Sequence, residues 1–399
     1  MLNKKQSATE TFRLIWISFL TLDSSLYKTT QIEILRHFCE RGNRAYLLAM
    51  HSKQKPVSRG LNFQIDSVPM RYVPVLTPFL FATFLILFFP FYVAIRKPRV
   101  VILESDLNVL LFVWKPLLNL LGTKMILDIR STPVELVNLR RQLSALWFNV
   151  SIIIGKNMLD GMTTLTCRMK KELCDRFKIK EDYVGVWTSG VSTSLFDPNK
   201  YDGNNMRKEF SLTDKFVVFH HGSLTMNRGI LETIKALGLI REQFPDTVFF
   251  ILGSGDAYPI LVESALQFEV LDNVRFHSPV PYSKVPEFIA MSDVCIVPLP
   301  DLPQWRNQCP LKLLEYLAME KTVIATNIPA NQEVLGTNKC GIYVSTADPF
   351  EIAEAIAYAH TNYEKLDEWG KSGRTIVEEE YSWGKVAEQL QNYLEKLTR

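Results

Sequence analysis

The sequence predicts an α/β protein built from two doubly wound domains in tandem. Short apolar runs alternate with helical segments along nearly the whole chain, which favours parallel strands joined by crossover helices. A polar stretch at 199–205 interrupts this alternation, and the same pattern then restarts. The length of 399 residues agrees with two domains, because single hydrophobic cores stop growing at about 250–300 residues.

The predicted elements follow this alternation in chain order. In the first half, strands are predicted at 12–20, 44–50, 99–104, 124–129, 163–166 and 183–187, with a helix at 27–41. In the second half, strands are predicted at 216–220, 247–252, 273–276, 293–298, 322–326 and 341–344, and helices at 229–243, 257–268, 284–290, 310–319, 349–360 and 384–397. We therefore predict a first domain at 1–198, a second at 199–380, and a final helical segment at 381–399.

The charge is unevenly distributed between the two halves. Residues 1–200 contain 27 Lys+Arg and 15 Asp+Glu, whereas residues 201–399 contain 18 and 27. A basic half favours an anionic partner such as a membrane surface, a lipid phosphate or a nucleic acid. Because no nucleic-acid-binding motif accompanies it, an anionic membrane surface is the predicted partner. The alternative is ordinary variation among solvated faces.

Cysteine usage indicates a reducing, cytoplasmic setting. The six cysteines are scattered, and none forms a CxxC pair or a Cys/His cluster with zinc spacing. The six histidines show no metal-ligand spacing, and no DxD-like acidic cluster occurs in a suitable loop. No metal and no other cofactor is therefore expected.

One apolar segment, 72–97, breaks the alternating pattern. It contains no charged residue from Tyr72 to Ile95, and Arg96 and Lys97 follow it. Its length alone suits a membrane span, but a single span would separate strands 12–20 and 99–104, which should share one sheet. Three prolines, one of them Pro90, should also interrupt it. We predict a helix or hairpin that enters one leaflet, the alternative being a helix wholly buried in the domain.

Two loops after apolar strands carry glycines at positions suited to a phosphate ligand. Gly222 ends one strand, and Arg228 follows at the start of the next helix, where it can reach a diphosphate bidentately. Gly253 and Gly255 end another strand. Ligands of open α/β sheets bind at the carboxyl ends of the strands, so these loops share the relevant edge. Ordinary strand-to-helix loops remain the alternative.

The segment 310–318 places a cation and a carboxylate one turn apart at a helix start. Lys312 and Glu315 lie at i and i+3, on one face of the predicted helix. The free N–H groups of a helix N-terminus attract phosphate, and a carboxylate can accept two hydrogen bonds from a ribose diol. A surface ion pair worth a few tenths of a kcal/mol is the alternative.

Taken in order, these motifs resemble the nucleotide-sugar domain of retaining glycosyltransferases of family 4, which have the GT-B fold. The motifs that carry the resemblance are Gly222…Arg228-Gly229, Gly253-Ser254-Gly255, Val274-Arg275-Phe276, Ser292–Pro298, Pro310–Tyr316 and Thr322–Thr326. The resemblance is strong over 185–385 and weaker over 10–185. It implies two Rossmann-like domains facing a central cleft, with a C-terminal helix that crosses back to the first domain.

The resemblance also implies roles for single residues. Glu315 matches the second glutamate of the family's EX7E motif and would hold the donor ribose hydroxyls, while Lys312 belongs to the PLK variant of this motif. Lys312 and Arg228 would bind the diphosphate, and Gly222 would admit it. The implied donor-binding set is Gly222, Ser223, Arg228, Gly253, Gly255, Asn307, Lys312, Leu313 and Glu315; the catalytic set is Arg228, Lys312 and Asp128. Asp128 lies at the end of strand 124–129, where family members often carry a histidine or aspartate facing the sugar. Asp128 or Arg130 could face the cleft, and a purely structural pair of the two is the alternative.

Three positions depart from the family pattern; the first two bear on the identity of the donor sugar, and all three bear on activity. Asn307 replaces the first EX7E glutamate, Ser223 stands where many members have a second arginine, and Ser278 replaces a common glycine. The implied function is transfer of a sugar from a nucleotide diphosphate sugar to a hydroxyl of a lipid-linked glycan or glycolipid, at the inner face of the membrane. A nucleotide-sugar epimerase and a non-catalytic membrane-bound subunit are the alternatives.

Overall fold

The protein is described from a computed structural model over residues 11–21, 28–51, 61–70, 73, 76–132, 139–337 and 340–399. The chain divides into two compact units. The first consists of Met1–Thr188 together with Trp383–Arg399, and the second of Ser189–Ser382. The sequence predicted domain boundaries after 198 and after 380.

The first unit contains a seven-stranded parallel sheet in the order β3-β2-β1-β4-β5-β6-β7. Its strands are β1 (Arg13–Thr21), β2 (Arg44–His51), β3 (Gln64–Pro69), β4 (Val100–Glu104), β5 (Lys124–Ile129), β6 (Gly161–Thr164) and β7 (Val184–Val186). The edge strand β3 was not predicted, because only Ile65 in it is buried and it therefore lacks an apolar run. β6 ends at Thr164, before the predicted 166, since Thr166 accepts a hydrogen bond from Met169 N and begins the next helix.

Helices cover this sheet, and the final helix of the chain belongs to them. The helices are α1 (Lys28–Glu40), α2 (Leu76–Arg96), α3 (Lys115–Leu120), α4 (Leu139–Met158), α5 (Cys167–Phe177) and α15 (Trp383–Leu397). The Tyr393 hydroxyl accepts a hydrogen bond from Met162 N at 3.1 Å and donates one to Tyr183 O at 2.9 Å. A Cβ at Gly161 or Gly185 would lie within 2.5 Å of the Tyr393 side chain. α15 thus packs on the first unit, as the predicted fold requires.

Helix α2 occupies the apolar segment. It continues through Pro90, so the expectation that prolines would interrupt it was wrong. A helix-internal proline costs about 3 kcal/mol, but one stripe of side chains at i, i+4 spacing packs into the core. This stripe consists of Phe81, Leu85, Phe89 and Val93, none more than 1% exposed.

The opposite face of α2 is apolar and exposed. More than half of the surface of each of six side chains is exposed: Phe79, Leu80, Leu87, Phe88, Phe91 and Ile95. In the window Phe79–Arg96, only 28% of the residues are buried, so the alternative of a wholly buried helix was wrong. By length and composition this helix could cross a membrane, which by itself is weak support for membrane contact.

The second unit contains a six-stranded parallel sheet in the order β10-β9-β8-β11-β12-β13. Its strands are β8 (Phe216–Ser223), β9 (Thr247–Ser254), β10 (Val274–His277), β11 (Val294–Val297), β12 (Val323–Thr326) and β13 (Gly341–Val344). The strand order reverses between β8 and β11, where open α/β sheets bind ligands beyond the carboxyl ends of their strands. The predicted loops leave the sheet at this edge.

The helices of the second unit are α6 (Gly203–Glu209), α7 (Ile230–Ile240), α8 (Tyr258–Gln267), α9 (Val285–Ala290), α10 (Pro303–Arg306), α11 (Leu311–Ala318), α12 (Pro329–Leu335), α13 (Pro349–Thr361) and α14 (Tyr363–Ile376). In the described residues of this unit, four helices were not predicted from the sequence: α6, α10, α12 and α14. Helix α14 was not predicted because it contains two glycines, which disfavour helix. A Cβ at Gly370 would lie 1.9 Å from Glu320 O, and one at Gly373 would lie 2.6 Å from the Leu317 side chain. These glycines permit close packing and do not end the helix.

Candidate active site

The glycines at the ends of β8 and β9 allow the two backbones to run unusually close together. Gly222 pairs with Gly253 in the sheet. A Cβ at Gly253 would lie 1.9 Å from Gly222 O, and one at Gly255 would lie 2.0 Å from Leu224 O. Gly222 also has φ of +122°, a conformation that favours glycine. The predicted glycines are therefore required by the local backbone.

Arg228 is held over an aromatic ring at the start of α7. Its Cζ lies 4.5 Å from the centroid of the Trp305 ring, a cation–π contact worth about 0.5–2 kcal/mol. Trp305 is itself fixed by a hydrogen bond from its Nε1 to Asn227 O at 3.1 Å. The next residue, Gly229, has φ of +73°, and a Cβ there would lie 1.8 Å from Pro298 O. The backbone around the guanidinium is thereby restrained.

Lys312 contacts a buried histidine that sequence reasoning missed. Lys312 Nζ lies 3.1 Å from His220 Nε2, and His220 Nδ1 lies 3.1 Å from Ile296 O. Burial and the charge of Lys312 lower the pKa of His220 well below its usual value. The ring is therefore neutral near pH 7, which we assign as Nδ1–H donating to Ile296 and Nε2 accepting from Lys312.

Two cations lie close together at this strand edge. Burial, followed by the charge of Arg228, lowers the pKa of Lys312 from 10.5 to about 7, and Glu315 opposes this shift. A Cβ at Gly222 would lie 3.2 Å from Lys312 Nζ, so the ammonium is next to the glycine-rich backbone. An anion bound between Lys312 and Arg228 would relieve their repulsion. The arrangement is thus suited to a phosphate or diphosphate group.

Glu315 is almost buried and already has neighbours within the second unit. Its Oε1 accepts a hydrogen bond from the Tyr282 hydroxyl at 2.9 Å, and its Oε2 lies 2.9 Å from His221 Nε2. Only 4% of the Glu315 side chain is exposed. Each carboxylate oxygen can accept more than one hydrogen bond, so capacity for a further donor remains. The ribose-binding role of Glu315 stays a prediction.

The other predicted donor-site residues occupy varied environments. Asn307 ends α10 and is 3% exposed, so an amide stands where the family motif has a carboxylate. Leu313 is fully buried in the core. Ser223 is exposed at the end of β8. The structure brings Gly222, Lys312 and Arg228 together.

Asp128 lies in the first unit, at the end of β5, and is 1% exposed. Its Oδ1 accepts hydrogen bonds from Thr163 Oγ1 at 2.7 Å and from Trp187 Nε1 at 3.0 Å. Burial raises the pKa of the carboxyl group, and the charge of Arg130 opposes this. Arg130 stacks on the Trp187 ring with its Cζ 3.6 Å from the centroid. These contacts give Asp128 a structural environment, and its catalytic role stays a prediction.

Sequence reasoning could have found some of the missed residues. His220 and His221 directly precede Gly222 at a strand end, which was a usable signal. Tyr282 and Glu315 are 33 residues apart in the sequence, so no local sequence pattern predicts the contact between them. In the described part of the chain, no group of three or more His, Cys, Asp or Glu side chains could hold a metal ion.

Comparison with known proteins agrees with this geometry. Residues 202–376 match the family described as glycosyl transferases group 1. A GDP-mannose-dependent alpha-(1-6)-phosphatidylinositol monomannoside mannosyltransferase of Mycobacterium tuberculosis is 26% identical over 207 residues, covering 51% of this chain and 54% of that protein. The chain spans about half to three fifths of the length of the curated relatives it matches.

Two solved structures resemble the whole chain in fold. Anabaena Alr3699/HepE in complex with UDP gives a TM-score of 0.76 at 12% identity, covering 96% of this chain and 100% of that chain. Sucrose-phosphate synthase from Thermosynechococcus elongatus gives 0.77 at 16% identity, covering 97% and 99%. The chain therefore has the GT-B fold, with two Rossmann-like domains, and the stretch that matches the glycosyl transferases group 1 family lies in the second unit.

The burial of Lys312, together with the nearby charge of Arg228, predicts an unusual lysine titration. After reductive ¹³C-methylation, one lysine resonance should titrate with a midpoint near pH 7 and disappear in Lys312→Arg. In Arg228→Gln this midpoint should rise, because the repulsion from the guanidinium is removed. Lys371→Arg, an exposed position in the same unit, should leave the resonance unchanged. A midpoint above 9 for Lys312 would contradict the proposed crowding of charge.

Proposed function

We propose that this protein is a retaining, metal-independent glycosyltransferase of the family 4 type, with the PLK variant of the EX7E motif. It would transfer a hexose from a nucleotide diphosphate sugar to a hydroxyl of a lipid-linked glycan or glycolipid. The observation that carries this proposal is the pair of cations, Lys312 and Arg228, beside the glycine backbone of β8. The Anabaena structure, which is in complex with UDP, supports a nucleotide ligand for a protein of this fold.

The proposed mechanism is electrostatic. The bond between the anomeric carbon and the diphosphate would break while a bond to the acceptor oxygen forms on the same face of the sugar, and the acceptor hydroxyl proton would pass to the departing diphosphate oxygen. Negative charge grows on the departing diphosphate, where Arg228, Lys312 and the first N–H groups of α11 would stabilise it. Cationic side chains would supply the stabilisation that a metal gives in other transferases. A protonated Lys312 is required, and diphosphate binding would favour that form.

This role predicts a large loss of activity without Lys312. Transfer of radiolabelled sugar from UDP-, GDP-, ADP- or dTDP-sugars to a membrane lipid extract should be detectable with at least one donor. With that donor, Lys312→Ala should lower kcat/KM by about 10²–10³-fold, the range typical for removal of one transition-state donor. Lys371→Ala should have no effect, since it removes an exposed charge from α14.

Two further experiments, one without acceptor and one in cells, test the other functions. Epimerised nucleotide sugar in the absence of acceptor would identify an epimerase. Unchanged glycan synthesis in cells that carry only the Lys312→Ala variant would favour a non-catalytic subunit, a reading that the amide of Asn307 keeps relevant.

The proposed ribose contact of Glu315 has its own test. Wild-type protein should bind the nucleoside diphosphate at least tenfold more tightly than its 2′-deoxy form, because a charged hydrogen bond contributes about 1.5–3 kcal/mol. In Glu315→Gln this preference should shrink, since a neutral amide accepts more weakly. Isothermal titration calorimetry measures both affinities, and Glu354→Gln on α13 is the control. Equal discrimination in wild type and Glu315→Gln would assign the ribose to another residue.

We further propose that the protein acts in the cytoplasm, at the inner face of the membrane. The exposed apolar face of α2 supports this location, as do Lys97 and Arg99, which are exposed just beyond the helix. The Mycobacterium relative is named for action on a phosphatidylinositol glycolipid, which supports a lipid-linked acceptor. A polyprenyl-linked glycan would present the same type of hydroxyl at the same surface.

Membrane binding predicts an effect of two polar substitutions on α2. Leu87→Ser/Phe91→Ser should weaken flotation with anionic liposomes by tenfold or more, because burial of each side chain contributes about 1.5–3 kcal/mol. Leu87 is 62% exposed and Phe91 68% exposed, so folding should be unaffected. Leu239→Ser/Leu266→Ser removes exposed leucines from the second unit as a control. Wild-type protein that fails to float with these vesicles would remove the membrane proposal.

A further inference from the structure

A groove runs between helix α2 and the edge strand β3 in the first unit. Its apolar walls come from both elements and from β2: Leu48, Ile65, Val68, Phe84, Phe88 and Phe89. The groove encloses about 280 Å³. This is slightly below the range of about 300–1,000 Å³ that holds drug-sized ligands, so it suits one narrow apolar group.

The polar residues of the groove are gathered around Asp66. Its Oδ2 accepts hydrogen bonds from the Tyr92 hydroxyl at 2.6 Å and from Arg96 Nη2 at 2.7 Å. Arg96 also lies over the Tyr46 ring, with its Cζ 4.5 Å from the centroid. The charges of Asp66 and Arg96 are thereby paired with each other. The remaining length of the groove presents hydrocarbon, with the small side chain of Ser67 on its β3 side.

The groove is continuous with the exposed apolar face of α2. Phe84 and Phe88 stack with their ring centroids 4.5 Å apart, and both line the groove. Phe88 is also 52% exposed, so it belongs to both surfaces. A molecule in the groove would therefore enter from the side that we propose rests on the membrane.

Charge favours a lipid as the occupant. The helix contains no acidic residue from Leu76 to Arg96, and the exposed Lys97 and Arg99 follow its end. Basic residues beside an apolar surface complement an anionic headgroup above its hydrocarbon chain.

We propose that the groove between α2 and β3 binds one hydrocarbon chain of an anionic membrane lipid. This inference rests on the proposed membrane location and adds a specific lipid site to it. Each methylene placed in such a groove should tighten binding by up to about fourfold, from about 0.8 kcal/mol per buried CH₂. The hydrocarbon chain of the lipid would leave the leaflet and lie alongside Phe84 and Phe88. The lipid would then have a defined position relative to the domain.

Dodecyl phosphate, kept below its critical micelle concentration, is the probe for this site. Isothermal titration calorimetry should show saturable binding of one equivalent, with octyl phosphate at least tenfold weaker and butyl phosphate undetectable. Ser67→Phe places a ring in the groove and should weaken dodecyl phosphate binding at least tenfold. Ser67→Ala is the matched control and should bind as wild type does, because it keeps the groove open. Circular dichroism melting verifies that both variants fold.

The outcomes separate this site from the wider proposals. Leu87→Ser/Phe91→Ser should lose liposome flotation yet bind dodecyl phosphate within twofold of wild type, because neither residue lines the groove. Equal affinity for butyl and dodecyl phosphate, or equal binding by a folded Ser67→Phe variant, would overturn the groove proposal. So would dimer formation upon addition of dodecyl phosphate, seen by size-exclusion chromatography, since a second copy would then cover this face. Sugar transfer is not measured, so failure of the transferase proposal leaves these results interpretable.

Discussion

The crowding of two cations at the end of β8 is the interaction on which the candidate site depends. Lys312 is held beside Arg228, and burial together with this neighbour lowers the pKa of the Lys312 ammonium to about 7. A protein that keeps such charges close in the absence of a ligand carries an electrostatic cost, which a bound anion repays. This arrangement is consistent with the electrostatic mechanism that we propose for the site.

The backbone and the neighbouring rings maintain this crowding. Without side chains at Gly222 and Gly253, the ends of β8 and β9 lie close together and leave room for the lysine. His220 accepts a hydrogen bond from Lys312 while it donates to Ile296, so the amine has a fixed position whether or not it is charged. The cation–π contact with Trp305 likewise restrains the position of Arg228. Packing thus orients the Lys312 ammonium and the Arg228 guanidinium, and a bound anion would neutralise their charges.

In the first unit, helix α2 is apolar on both its buried face and its exposed face. Four side chains of α2 at i, i+4 spacing enter the core, and this packing tolerates Pro90 within the helix. The other face remains apolar and exposed, and the groove beside β3 extends it inwards. A soluble domain seldom retains so large an apolar surface without a partner. The lipid partner that we propose would cover both the helix face and the groove.

The sequence by itself determined the α/β fold and most strand positions, because hydrophobic periodicity is local. It also pointed to Gly222, Arg228 and Lys312 through strand-end motifs, and their role in donor binding stays a prediction. The sequence did not predict β3, because this strand lacks an apolar run. It did not predict α14, because the two glycines of this helix are explained only by the groups that pack against them. The contacts of Glu315 with Tyr282 and His221 join residues far apart in sequence, so only the tertiary structure decided them. The same holds for α2: its composition indicated an apolar helix, but the choice of the buried face depended on how the helix packs against the first sheet.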